Sequence, residues 1–272
     1  MNATTDSVLA VAVRAARRAA SVIIDASRDL RRLPTFSKEH ADIVSTADAE
    51  AESAIVATIS AAFPEHAILG GEAGAVKAGS PNSPHRWIVD PLDGGLNFVH
   101  GFPYYAVSIA LTKDDEITHA VVLDPAHDEL FTAIKGKGAQ RNGAPMRVSA
   151  CTHLSDALIG TVFPVRKSAK LPAYLPVLNA LAGQCAGVRR AGACALDLAH
   201  LGAGRLDGFW VTSLRAWNIA AGVLLVTEAG GRVGDFAGGP EFLRTNEVIA
   251  AAPGLFNPLR EAIAAALPKS AP

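Results

Sequence analysis

Asp90 and Asp93 stand three residues apart in the run WIVDPLDGGLNFVHGFP, and two glycines follow at once. A carboxylate at the end of an apolar run is unfavourable unless something compensates it. Two carboxylates so close repel each other, and a divalent cation removes that penalty. Oxygen ligands of this kind favour Mg²⁺ or Ca²⁺ over zinc. Gly94 and Gly95 leave bare amides that a phosphate can approach closely, with a metal supplying the remaining charge. The pattern therefore reads as a metal-plus-phosphate cradle. The plainer alternative is an Asx-turn whose aspartates cap a helix.

Other chemistry-bearing residues read more simply. His100, His119 and His127 lack metal-ligand spacing and are expected in loops and strands. Trp87 and Trp217 read as packing residues beside the acidic groups. Asp42 and Asp48 precede an apolar periodic run, which suits helix caps. Asp197 and Asp207 read as structural. The stretch GKGAQRNG has glycines but not the order of a phosphate loop, so a hairpin turn is expected. Cys151, Cys185 and Cys194 are odd in number and show no ligand spacing, which suggests reduced, partly buried thiols of a cytosolic protein.

The elements that must position the two aspartates follow from periodicity. Residues 7–32 carry Val8, Val11, Ala15, Ala19, Val22 and Ile23 on one helical face. A second helix runs from about Asp42 through Ile55, Ile59 and Phe63 to Pro64. Residues 75–85, rich in Gly, Ser and Pro, are predicted as a loop. RWIVD reads as a short buried strand, after which Pro91 turns the chain. YYAVSIALT, ITHAVVLDP and ELFTAI read as a meander. From Ser155 onward strands and helices alternate: ALIGTVF, a helix at 170–184, a strand near Gly187, a helix at 194–203, LDGFWV and a helix at 217–229. That alternation predicts sheets covered by helices. The helix at Trp217 and the strand at Asp90 should converge, bringing Asp90, Asp93 and Asn218 into one cleft. The chain is expected to be one domain over 1–272, with a metal-binding meander half to about 150 and an alternating half beyond it.

Composition excludes several classes. Half of the 272 residues are hydrophobic and 19% are charged, which suits a globular core. The net charge of −1 and the absence of a Lys/Arg block give no nucleic-acid footprint. Arg14, Arg17, Arg18, Arg28, Arg31 and Arg32 read as the solvated face of the first helix. No apolar run approaches the ~20 residues of a membrane span.

These motifs resemble those of the inositol monophosphatases, part of a wider group of lithium-sensitive, Mg²⁺-dependent phosphatases that includes fructose-1,6-bisphosphatase. WIVDPLDGGLNFVHGFP is similar to the family's central signature, and AWNIAAGVLLVTEAGG to its second. ADIVSTADAEAE, AILGGEAG and RRAGACALDLAHLGAGRLDGF resemble further segments in the right order. The resemblance covers roughly residues 10 to 255. It implies an α+β fold layered as an αβαβα sandwich, a homodimer, and hydrolysis of a small phosphorylated metabolite, a polyol or sugar phosphate. Mg²⁺ is the implied cofactor, with Mn²⁺ as a substitute. Some bacterial relatives are thought to work with the transcription machinery as well.

Residue by residue, the resemblance makes Asp90, Asp93 and the Leu92 carbonyl metal ligands. Gly94 and Gly95 become phosphate-binding amides, and Asp48 acts through bound water. Four positions depart from the family pattern. Gly95 replaces a threonine that orients the attacking water. Asn218 replaces a ligand aspartate. Gly71 replaces a ligand glutamate and is followed by Glu72, which a one-residue shift of the loop would bring into its place. Val211 replaces a glutamate that touches a substrate hydroxyl. Two readings follow: a phosphomonoesterase using Asp48, Glu72, Asp90, Asp93 and Asn218, or a catalytically impaired member that binds a phosphate ligand or a protein.

Overall fold

The computed structural model describes residues 7–30, 38–70, 75–164, 169–212 and 214–267. Two helices come first, α1 (Ser7–Leu30) and α2 (Lys38–Ala62). Val11, Ala15, Ala19 and Ile23 recur at helical spacing and are buried, whereas Arg14, Arg17 and Arg18 are exposed. Of the six arginines expected on a solvated face, Arg14, Arg17, Arg18 and Arg28 are exposed, with Arg17 paired to Asp128 and Arg28 to Asp25, and Arg31 and Arg32 lie outside the described residues. Because α2 begins at Lys38, Asp42 and Asp48 lie inside it and neither caps its start. The apolar stripe of α2 is carried before Ile55 by Ile43, Val44, Ala47 and Ala51, small or half-buried residues among polar ones, so the stretch read as a polar lead-in to the helix.

The first sheet follows. Its strands are β1 (Ala67–Gly70), β2 (Ala75–Ala78), β3 (His85–Asp93), then, after the short helix α3 (Gly95–Val99), β4 (Ala106–Lys113), β5 (Glu116–Asp124), β6 (Glu129–Ile134), β7 (Gly138–Arg141) and β8 (Ala144–Pro145). Their order in space is β2-β1-β3-β4-β5-β6-β7-β8. From β3 to β8 all pairings are antiparallel, as the meander reading requires. The stretch GKGAQRNG does form a hairpin between β7 and β8, with Asn142 and Gly143 both at positive φ.

Two expectations need correction. The loop at 75–85 is strand at its start, since Ala75–Ala78 pairs with the open edge of β1, and the Gly, Ser and Pro residues lie beyond it. And β3 does not end at Asp90. It continues to Asp93 across a register irregularity between these residues, where Pro91 is tolerated although it has no amide to donate.

The second sheet comprises β9 (Leu158–Thr161), β10 (Gly187–Arg189), β11 (Gly208–Thr212), β12 (Arg232–Gly234) and β13 (Glu247–Ala251), in the order β10-β9-β11-β13-β12. Between and after them come α4 (Leu171–Ala182), α5 (Cys194–Gly202), α6 (Ala216–Glu228), α7 (Phe242–Thr245) and α8 (Phe256–Ala266).

Side-chain alternation assigns the layers. Val107, Ile109 and Leu111 of β4 face α1 and α2, while Ala106 and Ala110 face α5 and α6. On β11, Phe209 and Val211 pack on α5 and α6, and Trp210 packs on α4 and α8. The result is a five-layer αβαβα sandwich with α5 and α6 between the sheets. These two helices approach closely because residue 222 is glycine: a Cβ there would stand 2.5 Å from Leu198.

Candidate active site

The β3 irregularity brings Asp90 and Asp93 onto one short piece of backbone, and both side chains are almost fully covered, at 9% and 8% exposure. Helix α6 delivers Asn218 from 128 residues away in sequence. The side-chain amide of Asn218 donates to Asp90 Oδ2 at 2.8 Å, and its carbonyl oxygen accepts from the Arg215 amide at 3.3 Å. The expected convergence is therefore present for Asp90 and Asn218. Asp93 is held differently, with its Oδ2 accepting the Ala195 amide of α5 at 2.6 Å.

Electrostatics explain why this cluster calls for a cation. Burial raises the Asp90 carboxyl well above the usual range, and Asp93 and Asp48 raise it further, against the Asn218 amide. Burial pushes Asp93 up to about 7, and Asp197 adds to this, while the amides of Ala195 and Gly94 oppose it. The charges acting on Asp90 are thus all carboxylates, including Asp48 from the third turn of α2. Asp90 and Asp93 themselves are a hard-oxygen, negatively charged pair, which fits a divalent cation such as Mg²⁺.

The two glycines differ in kind. Gly94 has φ +89, and a Cβ on it would lie 2.9 Å from the Tyr104 carbonyl oxygen and 3.0 Å from Ala193 Cβ. Next to it, a Cβ on Gly95 would meet nothing within 4 Å. Gly94→Ala is expected to lower stability by ~1–3 kcal/mol, through both strain and overlap. Gly95→Ala should cost under ~0.5 kcal/mol. Thermal unfolding of the two variants checks this, and equal shifts would contradict it.

A polar group that sequence reasoning treated as merely structural lies beside this centre. Asp197, in the first turn of α5, has no exposed surface, and burial pushes its carboxyl up to about 7 against the Tyr104 hydrogen bond and Arg190. Tyr104 donates its hydroxyl to Asp197 Oδ1 at 2.7 Å. Nothing local in the sequence links two residues 93 positions apart. The only signal was an acidic side chain in an otherwise apolar helix start.

The remaining candidates are placed as follows. Gly71 and Glu72 lie outside the described residues. Val211 is buried in the core between β11 and the central helices. Asp207 accepts from Ser149 Oγ and the Leu158 amide, a structural role as expected. Trp87 is fully buried and donates to His66. Trp217 is half-buried beside Arg215, so it packs less completely than expected. Cys151, Cys185 and Cys194 are all free thiols. No group of three or more His, Cys, Asp or Glu side chains arranged for a metal occurs among the described residues. No helix among them is long and apolar enough to cross a membrane.

Two mixed sheets enclosing a helical pair, with two buried carboxylates on one interrupted strand, define a layered αβαβα protein with a paired-carboxylate site. The sequence pattern of the inositol monophosphatase family matches residues 4–270, and the chain belongs to that family. It is 45% identical over 267 residues to the Nus factor SuhB of Pseudomonas aeruginosa, covering 96% of this chain and 97% of that one. It is 42% identical over 262 residues to the inositol-1-monophosphatase of Rhizobium meliloti, covering 96% and 98%. The crystal structure of the extragenic suppressor protein suhB of Bartonella henselae superposes with a TM-score of 0.85 at 39% identity, covering 95% of this chain and all of that one.

Proposed function

We propose that this protein is a Mg²⁺-dependent phosphomonoesterase acting on a small polyol or sugar phosphate, with a site weakened by its own substitutions. The observation that carries the reading is the pair of buried carboxylates, Asp90 and Asp93, each raised in pKa by burial and by acidic neighbours. Asp90, Asp93 and the Leu92 carbonyl would hold the ion, with Glu72 and Asn218 as further candidate ligands. When bound, Mg²⁺ supplies positive charge to the phosphoryl group and activates water. The Gly95 amide donates to a phosphate oxygen; the Gly94 amide, expected from the sequence to do the same, acts on Asp93 instead. Asp48, exposed on α2 and felt by Asp90, accepts a proton from the attacking water. The active species is a homodimer.

The second reading is a member that binds without hydrolysing. It is favoured by one contact: Asn218 presents its amide hydrogens, not its oxygen, to Asp90. In this way its dipole, not a charge, stabilises the Asp90 carboxylate where a cation would otherwise do so. The relative named Nus factor SuhB, which bears the name of a factor and not of an enzyme, also supports it. A panel of phosphomonoesters assayed with millimolar Mg²⁺ or Mn²⁺, with calorimetry of metal binding, separates the two. Metal-dependent turnover of any member of the panel supports the first reading. Phosphate binding without turnover supports the second.

A further inference from the structure

A directional chain of hydrogen bonds leads from the protein surface towards Asp93. Glu129 accepts from Nη1 and Nη2 of Arg205, at 2.5 and 2.6 Å. Arginine only donates, so the 3.2 Å contact from its Nη1 to His200 Nε2 makes that nitrogen an acceptor. The ring proton of neutral His200 then sits on Nδ1. Tyr104 directs its own hydrogen to Asp197 Oδ1, and its oxygen therefore accepts from His200 Nδ1 at 3.4 Å. Donation runs in one direction, from Arg205 through His200 and Tyr104 to the acceptor Asp197.

The inner end of the chain is the start of α5. Asp197 is fully buried, and its Oδ2 has no hydrogen-bond partner among the described residues. Its bond to Tyr104 thus anchors the helical turn whose Ala195 amide reaches Asp93. Tyr104 also grips the opposite side of the centre. Its carbonyl accepts from Asn97 Nδ2 at 2.7 Å, and the same nitrogen donates to the Ala191 carbonyl at 2.8 Å, just ahead of α5. That Tyr104 carbonyl is also the atom that a Cβ on Gly94 would strike. One residue therefore braces the Gly94 turn, α3 and α5.

We propose that Tyr104 is a positioning residue for the candidate active site: through Asp197 it sets the Ala195 amide on the Asp93 carboxylate, with Arg205 and His200 fixing the direction of its hydroxyl. The consequence for Mg²⁺ rests on Asp93 being a ligand, as proposed above; the placement of Ala195 does not. Tyr104→Phe removes a single oxygen. In metal-free buffer it should speed hydrogen exchange of the Ala195 amide at least ~10-fold, about the worth of one net hydrogen bond, and leave the Val121 amide of β5 unchanged. Calorimetry should show Mg²⁺ binding at least ~5-fold weaker. Asp197→Asn keeps an oxygen for the hydroxyl, so its Ala195 exchange should stay within ~2-fold of the parent. Unchanged Ala195 exchange in Tyr104→Phe overturns the proposal. So does equal acceleration at Val121, which marks general destabilisation; faster Ala195 exchange with unaltered Mg²⁺ affinity upholds the placement of Ala195 and overturns instead the ligand role of Asp93. A parent that binds no Mg²⁺ defeats the proposed function instead, and the exchange data still decide the placement of Ala195.

Discussion

The triple variant Gly71→Glu, Gly95→Thr, Asn218→Asp hydrolyses phosphomonoesters at least ~10²-fold faster than the parent at saturating Mg²⁺, the low end for a positioned proton-transfer group. Each substitution repairs a different deficiency. Asn218→Asp replaces the amide that now donates to Asp90 with a carboxylate, which makes a cation necessary between them. By the family resemblance, Gly71→Glu adds a further anionic ligand at the end of β1. Gly95→Thr adds a hydroxyl on a Cβ that meets nothing within 4 Å. The single Gly95→Thr variant changes little, because the metal site stays undercharged. Asn218→Asp with Gly71→Glu strengthens Mg²⁺ binding, since affinity follows ligand charge. Ligands and water-orienting groups act as a unit, so the gains are cooperative. Steady-state kinetics of parent, single, double and triple variants test this. A parent that already turns over a sugar phosphate at ~1 s⁻¹ or faster, with no gain in the triple variant, would show that the altered site is itself competent.

What the sequence made legible and what it hid divide along physical lines. The strands β4, β5 and β6 were readable because each alternates between two buried faces and is closed by turn residues. Helices α5 and α6 were readable in outline, although both are buried on nearly every side, because glycine and charged residues bracket them. The convergence of Asp90 and Asn218 was readable only through the two motifs taken together. Position 91 misled, since proline usually ends a strand, whereas here it sits at the irregularity that lets β3 go on to Asp93. The segments β12, β13 and α8 were not separated, because their boundaries depend on pairing with β11 and packing on α4.

The support beneath the site was the least legible part. Asp93 is held by a main-chain amide of α5, and no side-chain pattern announces a backbone donor. Tyr104 and Asp197 meet only because the first sheet and the central helices pack face to face. The residue types at the centre could be read from local chemistry; the groups that orient them come from the tertiary fold.

That distinction has an energetic consequence at Asp93. Asp93→Asn is expected to abolish useful Mg²⁺ binding and, at the same time, to stabilise the cation-free protein. The folded carboxyl lies at about 7, above the 3.8 of an unperturbed aspartate, so the folded state holds its proton more tightly than the unfolded chain does. Stability from this group is therefore fully present below pH ~4 and is lost as pH rises through about 7. At pH 8 the parent must keep an unneutralised charge buried, while an asparagine keeps an oxygen for the Ala195 amide and carries no charge. One pKa unit corresponds to ~1.4 kcal/mol, so a gain of ~1–3 kcal/mol at pH 8 is expected, or roughly 2–10 °C in melting temperature for a chain of this size. Asp90 gains as well, because Asp93 is one of the charges that raise it. The measurement is thermal unfolding in a chelator at pH 5 and pH 8, repeated with Mg²⁺. The parent should lose more stability than Asp93→Asn between the two pH values, and Mg²⁺ should restore the parent but not the variant. A variant less stable than the parent at pH 8 in chelator would mean that Asp93 contributes to the fold as an anion, and that the cluster is not built around a missing positive charge.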